Sequence, residues 1–312
     1  MHLALLGGVV ILGMLIRWGA LAQRPAFPNV DHWPRTIAAL ILPGLLLLSS
    51  AVAILIMGHH GHMWGLPVNG MACFLAKLSL VWAVLKGVLV GIEQWKLGRW
   101  LQTLPVLEPW DLPEDVFPPN AIVHYLDIPQ IMAGQTGLFQ SRIVVSEGLL
   151  ALPTAQLQAV LAHEQAHFQY RDNLWGMGIN WLRGIGAWLP GSDRLWQDVL
   201  LLRECRADAQ AAQTIDPLIL AETLVLAVRS SLLGQSTDAS SSFSLACIGL
   251  QTASDRLTYR VESLLQVEAQ TKPTVFSMGW VTLESLLLGL LPLGSIAFHH
   301  LSPLMDCAMS MH

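Results

Sequence analysis

The segment VLAHEQAHFQYRD, residues 160–172, decides which kind of domain this chain contains. It includes the pattern His-Glu-x-x-His, in which His163 and His167 stand four positions apart with Glu164 between them. On a helix, residues four apart lie on one face, so both imidazoles project to the same side. That spacing suits two ligands of one zinc ion, with Glu164 beside them as general base for a zinc-bound water. The alternative is a pair of surface histidines on an ordinary amphipathic helix.

A second segment, LLRECRADAQA at residues 201–211, supplies acidic residues that the histidine pair lacks. Glu204 is predicted to be the third zinc ligand. Asp208, one helical turn later, is predicted to hydrogen-bond the far nitrogen of a ligand histidine. Cys205 is expected to point away from the metal and into the core. A charged helix face exposed to solvent is the alternative, but the two segments together favour one catalytic zinc ion per chain.

The composition of the whole chain is that of an integral membrane protein. Of its residues 53% are hydrophobic and 12% are charged, whereas soluble domains carry about 25% charged residues. The net charge is −5 and no basic run is present, which argues against direct nucleic-acid binding. The four cysteines form no CxxC pair, so a zinc ribbon is excluded and a disulfide framework is not indicated.

Four segments are long and apolar enough to cross a membrane, which requires about 20 residues. The predicted spans are residues 3–22, 37–57, 71–92 and 275–298. The first is interpreted as a retained anchor rather than a cleaved signal, because no Lys or Arg precedes its apolar run. The pattern therefore predicts a mainly α-helical membrane protein with about four transmembrane helices.

The positions of Lys and Arg predict how these spans are oriented. Basic residues occur in the loop after the first span and at both ends of the central segment, but not in residues 58–70 or after the fourth span. Cytoplasmic loops are the ones enriched in Lys and Arg. The N- and C-termini are therefore expected outside, and the central segment in the cytoplasm. The expected location is the bacterial inner (plasma) membrane.

The central segment is the part of the chain long enough for a soluble domain. Two β-like runs, AIVHYLDI and GLFQSRIVVS, precede the helix that carries the histidines. The predicted organisation has three spans, an inserted α+β zinc domain, a fourth span and a short tail. The corresponding residues are 1–95, 96–274, 275–298 and 299–312.

Two further apolar stretches, residues 173–189 and 217–233, are either buried helices or segments that touch the membrane. If the first crossed the membrane, Glu204 would lie on the opposite side from His163 and His167, and one zinc ion could not bind all three. The first stretch is therefore expected to be a buried helix, a membrane-surface helix, or a hairpin that returns to its own side.

The chain resembles the integral membrane metallopeptidases of the BlaR/MecR type from about residue 122 to residue 265. The resemblance is carried by SRIVVSEGLLALPTAQLQAVLAHEQAHFQYRDNLW, by LWQDVLLLRECRADAQA and by the later RLTYRVESLL. More distantly, the chain is similar to the HtpX-like and CAAX prenyl endopeptidases. The three predicted spans before the zinc domain and the one after it resemble the BlaR/MecR layout. In the HtpX-like group, two helices usually precede the zinc domain.

The resemblance implies a gluzincin-like fold, in which a small sheet packs on the active-site helices. It makes His163, His167 and Glu204 the zinc ligands, Glu164 the general base, and Asp208 the partner of a ligand histidine. It also implies that an edge strand near residues 137–145 pairs with an extended substrate, a mode of recognition that reads backbone more than side chains.

The sequence departs from the BlaR/MecR pattern in two places. Only residues 299–312 follow the last predicted span, and they contain no SxxK motif, so β-lactam sensing is not implied. Several gluzincins use a histidine downstream of the glutamate ligand to stabilise the oxyanion, and this chain has no histidine between His167 and His299. The candidates for that role, or for substrate binding, are Tyr259, Arg256 and Arg260.

These residues predict a membrane zinc endopeptidase that hydrolyses a cytosolic or membrane-adjacent protein. A transcriptional repressor is the BlaR/MecR-like substrate, and a misfolded membrane protein is the HtpX-like one. Besides that substrate, the expected partner is membrane lipid. A non-catalytic signalling or scaffold protein that contains zinc is the alternative. A metal transporter that uses His59, His60 and His62 is a third hypothesis, which leaves Glu204 and Asp208 without a role.

Overall fold

The computed structural model of the protein describes residues 2–24, 32–57, 62–63, 66–67, 70–107, 122–137, 142–233, 253–267 and 288–293. The helices are α1 (His2–Ala22), α2 (Trp33–Met57), α3 (Gly70–Leu101), α4 (Glu147–Leu150), α5 (Thr154–Gln169), α6 (Asp172–Ile185), α7 (Ser192–Ala211), α8 (Pro217–Leu233) and α9 (Ala253–Val267). The strands are β1 (His62–Met63), β2 (Leu66–Pro67), β3 (Ile122–Leu126), β4 (Ala133–Thr136) and β5 (Arg142–Ser146). The protein is mostly helical.

Three helices within the described ranges are long and apolar enough to cross a membrane: α1, α2 and α3. They overlap the first three predicted spans. Helix α3 continues to Leu101 instead of ending at residue 92. Residues 93–101 carry polar side chains but no proline, so nothing in the backbone stops the helix where its apolar part ends.

Several predicted features lie largely outside the described residues. Of the predicted fourth span, residues 275–298, the structure describes only 288–293, with a 3-10 turn at Leu291–Leu293. The predicted tail, residues 299–312, and the side chains of the histidine cluster at residues 59–62 also lie outside them.

The chain divides into two compact units. The first consists of Met1–Glu93, Met177–Val199 and Phe276–His312, and the second of Gln94–Gly176 and Leu200–Val275. The predicted zinc domain, residues 96–274, therefore differs from the second unit by the stretch Met177–Val199.

Within the first unit, the stretch Met177–Val199 is held by close packing and by buried polar groups. A Cβ atom added to Gly44 would lie 2.7 Å from the carbonyl oxygen of Leu182, so α2 and α6 approach each other closely at a glycine. The Trp181 indole donates a hydrogen bond of 2.9 Å to the Ala83 carbonyl in α3. These contacts join residues far apart in sequence, which is why hydropathy and spacing did not reveal them.

The same unit contains two arginines that bind this stretch. Arg17 is fully buried, and its guanidinium donates to the carbonyls of Leu189 at 3.2 Å and Leu40 at 3.3 Å. Arg24 makes two hydrogen bonds of 2.6 Å to the carboxylate of Asp198. The apolar stretch at residues 173–189 thus forms α6 and the turn after it, and α6 is not among the candidate spans.

The second unit contains a three-stranded sheet in the order β3-β5-β4, with β3 parallel and β4 antiparallel to β5. The two predicted β-like runs contain β3 and β5. Strand β4, with the sequence AGQT, was not predicted because it is short and lacks β-branched or aromatic residues apart from one threonine.

The predicted edge strand near residues 137–145 is wrong in position. Strand β5, which begins at Arg142, lies in the middle of the sheet. The outer side of β3 is bridged by Val106 opposite His124. Among the described residues the open edge of the sheet is therefore β4.

Helix α5 is fixed between the sheet and two other helices. One cluster of buried side chains joins it to the sheet, namely Val123, Ile143, Val145, Leu149, Leu157 and Leu161. A second cluster joins Ala159 of α5 to Leu220 and Ala221 of α8 and to Leu264 of α9. Packing on both sides sets the rotation of α5, and so sets the direction in which its histidines point.

Candidate metal centre

Three side chains converge in the second unit to form a possible metal site: His163 and His167 on α5, and Glu204 on α7. Their candidate ligand atoms all lie within 4.8 Å of one another. The two Nε2 atoms are 3.1 Å apart. Glu204 Oε2 lies 3.4 Å from His163 Nε2, and Glu204 Oε1 lies 3.8 Å from His167 Nε2. Both histidines are buried and Glu204 is partly exposed.

Each histidine is oriented by a carboxylate of its own. Nδ1 of His163 lies 2.8 Å from Oδ1 of Asp208, the residue that was predicted to hydrogen-bond a ligand histidine. Nδ1 of His167 makes a hydrogen bond of 2.7 Å with Oδ2 of Asp172. Both carboxylates are buried. A carboxylate on Nδ1 keeps the proton on that nitrogen, so Nε2 is left to bind a metal.

Each carboxylate in turn has its own arginine. Arg260 donates two hydrogen bonds of 2.7 Å to Asp208, from Nε and Nη2. Arg206 contacts the Asp172 oxygen that does not face the histidine, and its guanidinium lies over the Tyr170 ring. Two chains of the form imidazole–carboxylate–guanidinium therefore converge on one point.

The sequence predicted one of the two carboxylates, Asp208, but neither of the arginines behind them nor the role of Asp172. Asp172 closes the quoted segment, but its side chain reaches His167 only because the backbone turns between α5 and α6. In that turn, Arg171 has a φ of 53°. The available signal was an acidic residue in the first turn of the next helix, which helix-dipole arguments explain equally well.

The donor set fits a divalent metal ion. With both Nδ1 protons directed at carboxylates, the two Nε2 lone pairs face each other 3.1 Å apart. Two lone pairs at this separation repel unless a cation lies between them. A tetrahedral zinc ion with bonds of 2.0–2.1 Å needs ligand atoms about 3.3–3.4 Å apart. Two imidazoles and one carboxylate also leave a fourth position open, as in catalytic sites.

Two carboxylates of the site, Glu204 and Asp208, are held in their anionic form. Burial by itself would raise the pKa of Glu204, but Arg203 and His167 outweigh it and hold that pKa well below its usual range. Burial is likewise outweighed at Asp208, where Arg260 and His163 lower the pKa to about 2. Both carboxylates are therefore anionic at neutral pH. When no metal is bound, Asp208 and Glu204 overcome the effect of burial and raise the pKa of His163 to about 10.

Glu164 lies against the edge strand of the sheet. It is half-buried on α5, and its Oε2 accepts a hydrogen bond of 2.6 Å from the backbone N–H of Gln135 in β4. The side-chain amide of Asn173 donates to the Gln135 carbonyl at 3.0 Å and to the Gln135 side-chain oxygen at 2.7 Å. Gln135 and Asn173 were not found from the sequence, because β4 itself was not recognised.

The three residues predicted for oxyanion or substrate contact lie on α9, and they differ in their surroundings. Arg260 is committed to carboxylates, since in addition to Asp208 its Nη1 lies 3.4 Å from Glu204 Oε2. Tyr259 is partly buried, and burial raises its pKa. Arg256 is also partly buried. For all three residues the role in oxyanion or substrate contact stays a prediction.

Cys205 is part of the core, as expected from its position beside Glu204. Its exposed fraction is 3%. Burial, followed by the charge of Asp208, raises the pKa of the thiol to about 12. Cys205 is therefore a neutral thiol and a poor candidate for a fourth metal ligand.

Residues 103–231 match the model of Peptidase family M48. This region includes the three converging ligands and Glu164, but not Arg260. The chain is also similar to a protein described as a Protease HtpX homolog from Aeropyrum pernix, with 28% identity over 145 residues. That match covers 44% of this chain and 45% of the relative, so the chain spans less than half of the relative's length.

These matches agree with the metallopeptidase part of the resemblance and do not extend to the BlaR/MecR type. The relative is itself named a protease, and the apolar helices α1, α2 and α3 are those of a membrane protein. Residues 103–231 are thus similar to Peptidase family M48, and the His163–His167–Glu204 cluster lies within the matched region.

Proposed function

We propose that the protein is a membrane zinc endopeptidase that hydrolyses peptide bonds of a cytosolic or membrane-adjacent protein. The observation that carries the proposal is the convergence of His163, His167 and Glu204, with each histidine backed by a buried carboxylate. A structural zinc site has four protein ligands, whereas among the described residues this cluster offers three, which leaves a position for water.

Zinc held by His163, His167 and Glu204 would supply a Lewis acid for the scissile carbonyl and lower the pKa of a water molecule. Glu164 accepts the proton of the attacking water and later delivers it to the leaving amine. The hydrogen bond from the Gln135 N–H holds the Glu164 carboxylate at the edge of β4. Asp208 and Asp172 hold the two imidazoles in the orientation that presents Nε2 to the metal.

The substrate is proposed to bind as an extended strand along β4. In an antiparallel pair, the N–H and C=O of one residue point to the same side. The N–H of Gln135 donates to Glu164, and its C=O accepts from Asn173, so both groups point away from β5. By alternation, Ala133 presents its backbone groups to the same edge, and a substrate strand would pair with these, since Glu164 and Asn173 already occupy those of Gln135. A strand added there passes directly beside the general base.

The proposed topology places the zinc domain in the cytoplasm and both termini outside, with residues 275–298 as a fourth span after the inserted domain. The distribution of Lys and Arg between loops supports it. A misfolded membrane protein is the substrate that the HtpX-like resemblance implies, and the similarity to a Protease HtpX homolog favours that resemblance. Cleavage of a transcriptional repressor rests on the BlaR/MecR resemblance alone.

The test measures zinc content and casein cleavage on full-length protein purified in detergent. Wild type is expected to carry about one zinc per chain and to cleave casein. Glu204→Ala should lose both zinc and cleavage, whereas Glu164→Gln should keep zinc and lose cleavage. A wild type that binds zinc and cleaves nothing, with Glu164→Gln indistinguishable from it, would favour the non-catalytic scaffold.

A further inference from the structure

A cavity of about 280 Å³ opens beside the candidate metal centre, in the second unit. Its walls come from the end of β4, the last turn of α5 and the first turn of α6. Phe168 and Leu174 supply apolar surface, Gln135 and Asn173 supply amides, and Arg171 supplies a charge. The volume is just below the range of about 300–1,000 Å³ for pockets that enclose a whole ligand. The cavity is therefore large enough to take a side chain of a bound peptide.

The cavity is continuous with the edge strand on which the substrate is proposed to lie. Gln135 lines it and also donates its backbone N–H to Glu164 at 2.6 Å. Asn173 lines it and caps the Gln135 carbonyl at 3.0 Å. Side chains of an extended peptide alternate between two faces. A peptide that follows β4 past Glu164 thus presents one of its side chains to this cavity.

Arg171 stands in a backbone conformation that its side chain does not favour. Its φ of 53° lies in the left-handed region, and it is the one non-glycine residue within the described ranges with a positive φ. It joins α5 to α6, since its N–H donates to Phe168 O at 3.0 Å and its carbonyl accepts from Leu174 N at 3.1 Å. Glycine or asparagine would meet the needs of this turn better. The turn therefore does not explain why the residue is an arginine.

The cavity carries a positive charge that no acidic side chain in the described part of the chain neutralises. The side chain of Arg171 is exposed, and in the described part of the chain it makes no ion pair. The two nearest acids in the sequence are already engaged: Asp172 with His167 and Arg206, and Glu164 with Gln135. Apart from Arg171, the described residues that line the cavity are uncharged.

We propose that this cavity is a substrate side-chain pocket and that Arg171 selects an acidic side chain for it. The proposal rests on the proposed peptidase function, whose substrate preference it specifies. A guanidinium binds a carboxylate through two parallel hydrogen bonds. Phe168 and Leu174 suit the methylene groups of a longer acidic side chain, so glutamate is preferred over aspartate.

The test uses labelled short peptides of alanine and valine in matched pairs. The two peptides of a pair differ at one position, which is glutamate in one and glutamine in the other, and each pair has this position at a different place in the sequence. Binding is measured by fluorescence anisotropy on zinc-loaded, full-length Glu164→Gln protein, and cleavage by mass spectrometry on protein with Glu164 intact. At one position glutamate should improve binding and kcat/KM by about tenfold over glutamine, as expected for a hydrogen-bonded charge.

Three variants, each made with Glu164→Gln for binding and with Glu164 intact for cleavage, complete the test. Arg171→Asn keeps a residue that tolerates the left-handed turn, and it should abolish the preference for glutamate. Arg171→Glu should transfer the preference to lysine at the same position. Arg229→Gln, which removes an exposed arginine of α8 that does not line the cavity, should leave the preference unchanged.

The outcomes separate this proposal from the one on which it rests. Peptides that are cleaved without any preference for glutamate, or with a preference that survives Arg171→Asn, overturn the pocket assignment and leave the peptidase standing. Peptides that are neither bound nor cleaved overturn both proposals.

Discussion

Each of the two units contains an arginine whose guanidinium is bound by protein oxygens, and the two arginines have opposite surroundings. In the first unit, Arg17 is fully buried and donates to two backbone carbonyls, with no carboxylate partner among the described residues. In the second unit, Arg260 has its nitrogens directed at the carboxylates of Asp208 and Glu204. Arg17 joins chain segments in the first unit. Arg260 pairs with Asp208, which orients His163, and with the proposed ligand Glu204, so its loss removes one cationic partner from each carboxylate.

We expect the largest effect on the free energy of unfolding, which should fall much more in Arg260→Met than in Arg17→Met. Removing Arg260 leaves Asp208 and Glu204 partly unpaired, which should lower the free energy of unfolding by about 3–5 kcal/mol. Removing Arg17 takes away a buried charge whose partners are neutral, so the change should stay within about 1 kcal/mol. Thermal unfolding of both variants in the same detergent measures the difference. Equal losses would show that the comparison is wrong.

The next largest effect should be on zinc affinity, when either carboxylate that contacts a ligand histidine is neutralised. Asp208→Asn and Asp172→Asn should each weaken zinc binding by about 10–100-fold, because each releases one imidazole from its orientation. Competition with a chelator of known affinity measures this loss. Asp198→Asn, which breaks a carboxylate–arginine pair in the first unit, is the control and should leave zinc affinity unchanged. A loss of zinc affinity in the control would mean that the metal site depends on that pair.

A smaller effect appears in the pH dependence of the metal-free protein. The folded-state pKa of His163 is raised from 6.5 to about 10, mainly by Asp208 against the opposing effect of burial. Protonated His163 therefore stabilises the fold fully below pH 6.5, and this stability is lost as the pH rises toward about 10. The melting temperature should fall over that window, and Asp208→Asn should flatten the fall.

The protonation of His163 in the metal-free site can also be measured through zinc binding. Because zinc must replace the proton on His163, its uptake at neutral pH should release about one proton or more per ion. A pH indicator in weak buffer records the release. Zinc uptake without proton release would show that His163 is not protonated in the metal-free site.

We expect the smallest effect at Cys205. It is buried and lies between the charged residues Glu204 and Arg206 in the sequence, but its own thiol is uncharged. Its pKa of about 12 keeps the thiol neutral, so iodoacetamide should not modify it at pH 8 until the protein is denatured. Cys205→Ala should change stability by about 1 kcal/mol and leave zinc content unchanged. Loss of zinc in this variant would mean that the thiol takes part in the site.

Several features were predictable because they depend on local spacing. The four-residue interval between His163 and His167 is one helical turn, and the same interval separates Glu204 from Asp208. A helix brings such pairs to one face wherever it lies in the fold. The three apolar helices follow from composition in the same way.

Other features depend on pairings that no local pattern encodes. Strand β4 is too short and polar to be recognised alone, and only its hydrogen bonds to β5 make it an edge strand. The grouping of Met177–Val199 with the N-terminal helices follows from long-range contacts of Arg17, Arg24 and Gly44.

Hydropathy alone predicts a membrane protein, and helical periodicity alone places the histidine pair, with Glu164 between its members, on one helix. Both are properties of neighbouring residues, so no tertiary contact is needed to predict them. Only the tertiary structure decided that Asp172 supports His167, that Arg206 and Arg260 neutralise the two carboxylates, and that β4 places Gln135 against Glu164. Those contacts require separate helices and strands to pack at set rotations. Burial of the hydrophobic clusters around α5 sets those rotations.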